Sequence, residues 1–204
     1  YISEGATPYI DIWDVKPPSV HGVAALLSLA VDGDMFLLHL LSVVLTSAAF
    51  GIAMVLLGVL SYRITSTPLS AYCTVAVCYS VFMLYYVPGL GLSPKPFALV
   101  FALSSILLGR DGRHALAGVT GALAASFWQM ALIFPVIALI FAAKAKHQRR
   151  AVGVTMLALL GTTIVVTLPL ILSGAFEAMI VEVIAVPLLV AESSTLWAKM
   201  LILL

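Results

Sequence analysis

Charged residues are scarce in this sequence. Only 9% of its 204 residues are Asp, Glu, Lys or Arg, whereas 63% are hydrophobic, and the mean hydropathy is +1.17. An ordinary soluble domain is about 25% charged and about half apolar, and a domain of this size cannot bury so much apolar surface. The shortage of charge therefore excludes a soluble globular domain and indicates that lipid surrounds most of the chain.

Cysteine and net charge are also sparse. The two cysteines, Cys73 and Cys78, lie in one apolar run, and their spacing matches no metal-binding motif. We expect both to be buried as small hydrophobic residues. The formal net charge is only +1, which gives no electrostatic reason to expect a nucleic-acid partner.

The two ends of the chain look cut. The first residue is Tyr1, not methionine, and the last residues, LWAKMLILL, stop inside an apolar run. We therefore expect the chain to be a part of a longer membrane protein.

Long apolar runs predict an all-α, polytopic integral membrane protein. Residues 1–34 are expected to form an external loop with an interfacial helix, because the apolar run 19–31 is too short to cross a ~30 Å hydrocarbon core. Residues 35–204 are expected to form one membrane domain, a multi-helix bundle. Its predicted helices cover about 35–60, 68–88, 94–109, 115–126, 129–143, 151–172 and 194–204 onward.

The uncharged run 115–143 has 29 residues, enough for one helix of about 43 Å or two of about 20 Å each. With two helices that turn near residues 127–129, the links 61–67, 110–114 and 144–150 share one side and carry seven of the ten basic residues. With one helix, the counts become four and six. Because cytoplasmic links are enriched in Lys and Arg, we predict two helices and a cytoplasmic location for these three links.

Helices too short to cross the bilayer must end inside it, where exposed backbone needs protein or a water-filled cavity around it. We therefore predict a cavity near Gln129 that opens toward the external face. Residues 1–34 and 173–193 are expected on that same face. The glutamates of the second segment are expected to be solvated there: Glu177, Glu182 and Glu192.

The most polar stretch is TPYIDIWDVKPPSVHG, residues 7–22. Asp11 and Asp14 are three residues apart and Lys16 follows, a set that could hold a divalent cation or a phosphate. The alternative is a solvated loop whose tryptophan and tyrosine anchor it among lipid headgroups. Spacing alone leaves both interpretations open.

The pattern EG-x-x-PY-x-D-x-W-D-x-KPP, followed by a short apolar run, resembles the first external loop of lipid-dependent membrane glycosyltransferases of the GT-C superfamily. The resemblance is to the branch of protein mannosyltransferases and aminoarabinose transferases. Residues 116–134 also resemble that family's small-residue helix followed by a break, although members often have lysine where this chain has Gln129. The residues that carry the loop resemblance are Glu4, Gly5, Pro8, Tyr9, Asp11, Trp13, Asp14, Lys16, Pro17 and Pro18.

The resemblance implies a GT-C-like bundle that moves a monosaccharide from a polyprenyl-phosphate donor to a lipid, glycan or protein acceptor at the outer face, usually with inversion. The family's main acid ends the first transmembrane helix, which would precede Tyr1, so this chain alone is expected to be inactive. Asp11 and Asp14 are then secondary catalytic candidates or ligands of a divalent cation. Lys16 is the candidate for stabilising the leaving phosphate.

Further candidates for substrate binding are Tyr9, His21, His39, Lys95 and Gln129. One of the three glutamates Glu177, Glu182 and Glu192 could line the acceptor cleft instead of being solvated. His21 and Lys95 could instead contact lipid headgroups, and His39 could be an interhelical histidine that a partner satisfies. The alternative functions are a transporter and a non-catalytic membrane subunit. The clearest spans contain no acidic or basic residue apart from His39 near one end, which disfavours ion-coupled transport.

Overall fold

The structure, a computed structural model, describes residues 6–11, 16–32, 34–82 and 91–186. Within these ranges the regular elements are helices and there is no strand, which confirms the predicted all-α fold. A 3₁₀ turn, Gln129–Leu132, and a π-helical turn, Val181–Ala185, complete them. The α-helices in chain order are α1 Pro18–Ala30, α2 Met35–Thr65, α3 Pro68–Phe82, α4 Pro94–Arg110, α5 His114–Phe127, α6 Ile133–Ala143, α7 Gln148–Leu172 and α8 Phe176–Ile180.

Among the described helices, α2 and α7 are long and apolar enough to cross a membrane. Their 31 and 25 residues correspond to lengths of about 46 and 37 Å, more than the ~30 Å hydrocarbon core. Large apolar side chains on both helices are exposed, including Phe36, Val55 and Leu157. This arrangement suits a lipid surround, where an exposed apolar side chain carries no penalty. The predicted segment 194–204 lies outside the described residues.

Two expectations about α2 and α3 need correction. α2 continues to Thr65, five residues past its expected end, because nothing opposes the helix until Pro68, and Ser66 leaves it in a left-handed conformation (φ 57°). Cys73 is exposed and Cys78 is half-buried, so the expected burial of both is wrong. α3 packs mainly against α2, which leaves the Cys73 side of the helix uncovered.

The run 115–143 contains a break. α5 ends at Phe127, Trp128 is extended (φ −151°, ψ 122°), and the 3₁₀ turn leads into α6. Pro135 lies in the first turn of α6, a position where its missing N–H costs no helical hydrogen bond. α5 and α6 are about 21 and 17 Å long, so neither reaches across a bilayer core.

Small residues line the contacts between helices. In α2 the buried positions include Ser42, Thr46, Ala49 and Ala53, a helical stripe with spacings of four and three residues. Hydrophobic burial gives little driving force inside lipid, so membrane helices rely on close packing and on hydrogen bonds between them. Ser105 of α4 shows the second kind of contact, since its hydroxyl donates to the Ala117 carbonyl of α5 at 2.9 Å.

α5 lies at the centre of the bundle and packs against α4, α6 and α7. Its approach to α7 requires a glycine, because a Cβ on Gly118 would lie 2.8 Å from the backbone oxygen of Thr155. Its approach to α6 is also close at Gly121, where a Cβ would lie 3.2 Å from the nitrogen of Pro135. These contacts hold the break between α5 and α6 against the rest of the bundle.

The three basic links lie near one another. Arg63 Nη1 is 2.6 Å from Asp111 Oδ1, which joins the end of α2 to the end of α4. His114 and Arg150 line one pocket, which joins the α4–α5 link to the start of α7. This end of the bundle is called the basic end from here on; the side of the membrane it faces stays a prediction.

Candidate active site

A large cavity lies at the end of the bundle opposite the basic end. Its volume is about 460 Å³, and its walls come from α5, α6, α7 and α8 together with the start of α1. The lining is mostly apolar, with Gln129, Thr163 and Thr167 among its polar residues. Gln129 therefore lies beside a cavity, as the sequence predicted. An apolar cavity of this size accommodates part of a hydrocarbon chain.

The start of α1 forms one edge of this cavity. Pro17 and Pro18 both line it, and Pro17 is the residue that precedes the helix. Proline suits the first helical position because its fixed φ is already helical and its missing N–H would be unpaired there in any case. The hydroxyl of Ser19 donates to that of Ser126 at 2.7 Å, which fastens α1 to the end of α5.

Tyr9 anchors the loop before α1. Its side chain is only 3% exposed, and it packs against residues of α7, α8 and the segment between them. Its hydroxyl donates to the backbone carbonyl of Lys16 at 2.6 Å, and its ring meets the His21 ring edge-on at 5.2 Å. Tyr9 also has a positive φ of 69°, a conformation that bulky residues rarely adopt. The contacts of this one side chain thus hold the loop against α1, the end of α7 and α8.

Asp11 closes a short turn at the start of the described loop. Its carboxylate Oδ2 accepts a hydrogen bond from the Thr7 amide at 2.7 Å, and its own amide donates to the Thr7 carbonyl at 2.9 Å. The side chain is exposed. Asp14 lies outside the described residues. A shared role of Asp11 and Asp14 therefore stays a prediction.

Lys95 lies beside the break between α5 and α6. It is the second residue of α4, and its Nζ is 5.9 Å from the centre of the Trp128 ring. That distance is within reach of a cation–π contact. Both side chains are exposed. The contact places a positive charge next to Trp128, whose neighbour Gln129 lines the cavity.

The two candidate histidines occupy different places. The ring of His21 packs against Tyr9, and its Nε2 is buried. That atom has no access to the surface. The residue as a whole is half-buried, so a contact of its ring with a substrate or a headgroup stays a prediction. His39 is exposed on α2 and lies beside Gly91, where a Cβ would be 3.6 Å from Nδ1. It does not line the cavity.

The DolP-mannose mannosyltransferase family model matches residues 5–171. The chain belongs to this family. A dolichol phosphate-mannose mannosyltransferase from Haloferax volcanii is 32% identical over 198 residues, which cover 95% of this chain and 42% of the relative. The chain thus spans less than half the length of that relative. No solved structure is significantly similar to the chain.

Membership in the DolP-mannose mannosyltransferase family confirms the predicted resemblance to lipid-dependent membrane glycosyltransferases. The matched range includes most of the loop that carries the resemblance and almost all of α7. Pro17, Pro18 and the cavity walls supplied by α5 and α6 also lie inside it. The match leaves α8 outside.

The position of Glu182 differs from the one expected from the sequence. It was expected in solvent, but it lies in the π-helical turn and is only 9% exposed. Its neighbour Val183 packs against Tyr9 and lines the cavity. A π-helical turn shifts side chains away from the positions that a period of 3.6 residues predicts. No signal in the local sequence distinguishes the buried Glu182 from Glu177, which is exposed.

Proposed function

We propose that the whole protein transfers mannose from dolichyl phosphate mannose to an acceptor at the external face of the membrane. The family match supports this proposal most directly, because it includes the cavity walls supplied by α5, α6 and the start of α1, together with almost all of α7. The Haloferax volcanii relative is named for the same donor class and the same sugar. The acceptor is expected to be a lipid, a glycan or a protein.

The cavity is proposed to hold the first part of the dolichyl chain. Its walls are mainly aliphatic, and it extends along α7 from Met156 to Thr167. Eleven residue steps along a helix correspond to about 17 Å, which matches several isoprene units in length. Burial of their apolar surface would contribute roughly 25 cal/mol for each Å² removed from water.

The donor phosphate is proposed to lie near the start of α1. As the bond between the sugar C1 and the phosphate oxygen breaks, negative charge grows on the phosphate, and a nearby cation stabilises the transition state. Lys16 is the candidate, because Tyr9 holds its backbone and Pro17 next to it lines the cavity. Lys95 beside Trp128 is the second candidate.

A carboxylate is proposed to accept the proton of the acceptor hydroxyl while that oxygen bonds to C1. The main acid is expected in the part of the protein before Tyr1, as the family resemblance implies. In this chain Asp11 is a secondary candidate, since only one of its oxygens accepts from Thr7. Asp11 and Asp14 also stay candidates for a divalent cation, although the described residues contain no cluster of three or more ligands.

The proposal can be tested by narrowing the cavity. Leu160 lines it, whereas Leu157 on the same helix does not and is more exposed, at 73% against 55%. In the full-length protein, Leu160→Trp should weaken binding of radiolabelled dolichyl phosphate mannose by roughly tenfold, since overpacking costs about 1–3 kcal/mol. Leu157→Trp is the matched control and should bind normally.

One further measurement and two contradicting outcomes complete this test. Mannose transfer to membrane acceptors should fall in parallel with donor binding in Leu160→Trp. Equal binding by the two variants would exclude this cavity as the donor site. If the unmodified protein does not bind dolichyl phosphate mannose more tightly than dolichol, the proposed donor is wrong.

A further inference from the structure

A second pocket lies at the basic end. Its volume is about 420 Å³, and it forms where the α4–α5 link meets the link from α6 to α7. The donor groups that line it come from both links: Gly112, His114, Lys146, His147 and Arg150. The distance along α7 from Arg150 to Thr167 is about 25 Å, so this pocket lies far from the large cavity.

The charge around this pocket is positive. Lys146 and Arg150 line it directly. Asp111 is the sole acidic residue between Asp34 and Glu177 in the sequence, and its carboxylate bonds to Arg63 at 2.6 Å. An acid that is already paired offsets little of the charge on a neighbouring pocket, so the two cations would attract an anion.

The backbone adds further hydrogen-bond donors. α5 begins at His114 and α7 begins at Gln148, so two helix N-termini converge on this pocket. Neither helix has a side-chain cap or an acidic residue in its first turn. The first amide groups of a helix lack partners within the helix, and the helix dipole favours an anion beside them.

We propose that this pocket binds a phosphate anion through Lys146, Arg150 and the N-termini of α5 and α7. Ammonium, guanidinium and amide groups are donors without acceptor capacity, the set that phosphate oxygens require. The site lies at one end of α7, a helix long enough to cross a membrane, where phospholipid headgroups lie. The phosphate source is therefore an anionic lipid headgroup or a soluble phosphate compound.

The test uses full-length protein in detergent from which lipid has been removed. Two double variants change the same amount of charge in the same link: Lys146→Gln with Arg150→Gln removes lining residues, and Lys144→Gln with Arg149→Gln removes exposed residues outside the pocket. Binding of phosphatidylglycerol is measured by native mass spectrometry. The pocket variant should bind roughly tenfold or more weakly, because each lost charged hydrogen bond contributes to affinity.

Further measurements distinguish a soluble phosphate from a lipid headgroup and test whether diffuse surface charge alone explains the binding. Inorganic phosphate that raises the melting temperature of the unmodified protein, but not of the pocket variant, assigns a soluble source; an effect confined to phosphatidylglycerol assigns a lipid headgroup. Equal loss in both double variants would show that only diffuse surface charge attracts the lipid, and unchanged binding in both would likewise overturn the site.

Discussion

The hydroxyl of Tyr9 donates a 2.6 Å hydrogen bond to the backbone carbonyl of Lys16, seven residues further along the chain. The same side chain is buried against Leu170, Met179 and Val183. One tyrosine therefore connects the loop before α1 to the end of α7 and to α8. Because Pro17 lines the large cavity, this bond also sets the position of Lys16 at the cavity edge.

Tyr9→Phe in the full-length protein tests this role. Phenylalanine keeps the ring packing but loses the hydrogen bond, which should lower the free energy of unfolding by about 1 kcal/mol. Binding of dolichyl phosphate mannose should weaken by roughly two- to fivefold as Lys16 loses its fixed position. Thermal unfolding and donor binding measure the two effects. Tyr72→Phe, at an exposed tyrosine on α3, is the matched control. Normal donor binding by Tyr9→Phe would reduce Tyr9 to a packing residue.

Lys95 provides a second prediction about the donor. Lys95→Met keeps the aliphatic stem but removes the charge beside Trp128, so binding of the phosphate-bearing donor should weaken by roughly fivefold or more, whereas dolichol binding should not change. Lys95→Arg should restore most of the affinity. Lys144→Met, at an exposed lysine of the basic end, controls for the loss of one charge. A similar decrease in both Met variants would exclude a specific role for Lys95.

Helix packing gives a prediction about stability. Gly118→Ala places a Cβ 2.8 Å from the Thr155 backbone oxygen and 3.1 Å from the Ala158 side chain, so α5 and α7 must separate. We expect a loss of about 1–3 kcal/mol. Gly161→Ala on α7 meets nothing within 4 Å and should be neutral or stabilising by up to about 1 kcal/mol. Both full-length variants are measured in detergent. The melting temperature should fall for Gly118→Ala and should stay the same or rise for Gly161→Ala. Equal decreases would show that the α5–α7 contact is looser than the structure has it.

Much of the fold could be predicted from the lengths of the apolar runs and from the distribution of charge among the links. Apolar runs indicate helices such as α2 and α7 directly, since no other structure satisfies the backbone of a long apolar segment in lipid. Charge counts across the links favoured a turn near residues 127–129, and α5 ends at Phe127. Local hydrophobic pattern alone would not have separated α5 from α6, because both are apolar around most of their surface.

The contacts within the candidate site could not be predicted in the same way. The approach of Lys95 to Trp128 joins residues 33 positions apart, and it depends on how α4 packs beside the break. The burial of Glu182 depends on a π-helical turn, which has no periodic signature. The positive φ of Tyr9 is a property of the folded loop. The first of these features depends on packing between segments that are distant in the sequence, and the other two depend on backbone conformations that the local residue types do not specify.

Membrane orientation supports the last prediction. Thr67 lies between α2 and α3 near the basic end, and Ser173 follows α7 at the opposite end; both are exposed. Because Lys and Arg are enriched in cytoplasmic links, we expect the basic end inside the cell and Ser173 outside. Thr67→Cys and Ser173→Cys would be made separately in full-length protein in which Cys73, Cys78 and any other cysteine are replaced by serine.

A membrane-impermeant maleimide applied to intact cells should label Ser173→Cys, and it should label Thr67→Cys only after the membrane is permeabilised. The cysteine-free parent gives the background. The reverse pattern would place the large cavity on the cytoplasmic side and contradict transfer at the external face. It would leave the donor class untouched, because the comparison of dolichyl phosphate mannose with dolichol binding by the unmodified protein tests that class without reference to orientation.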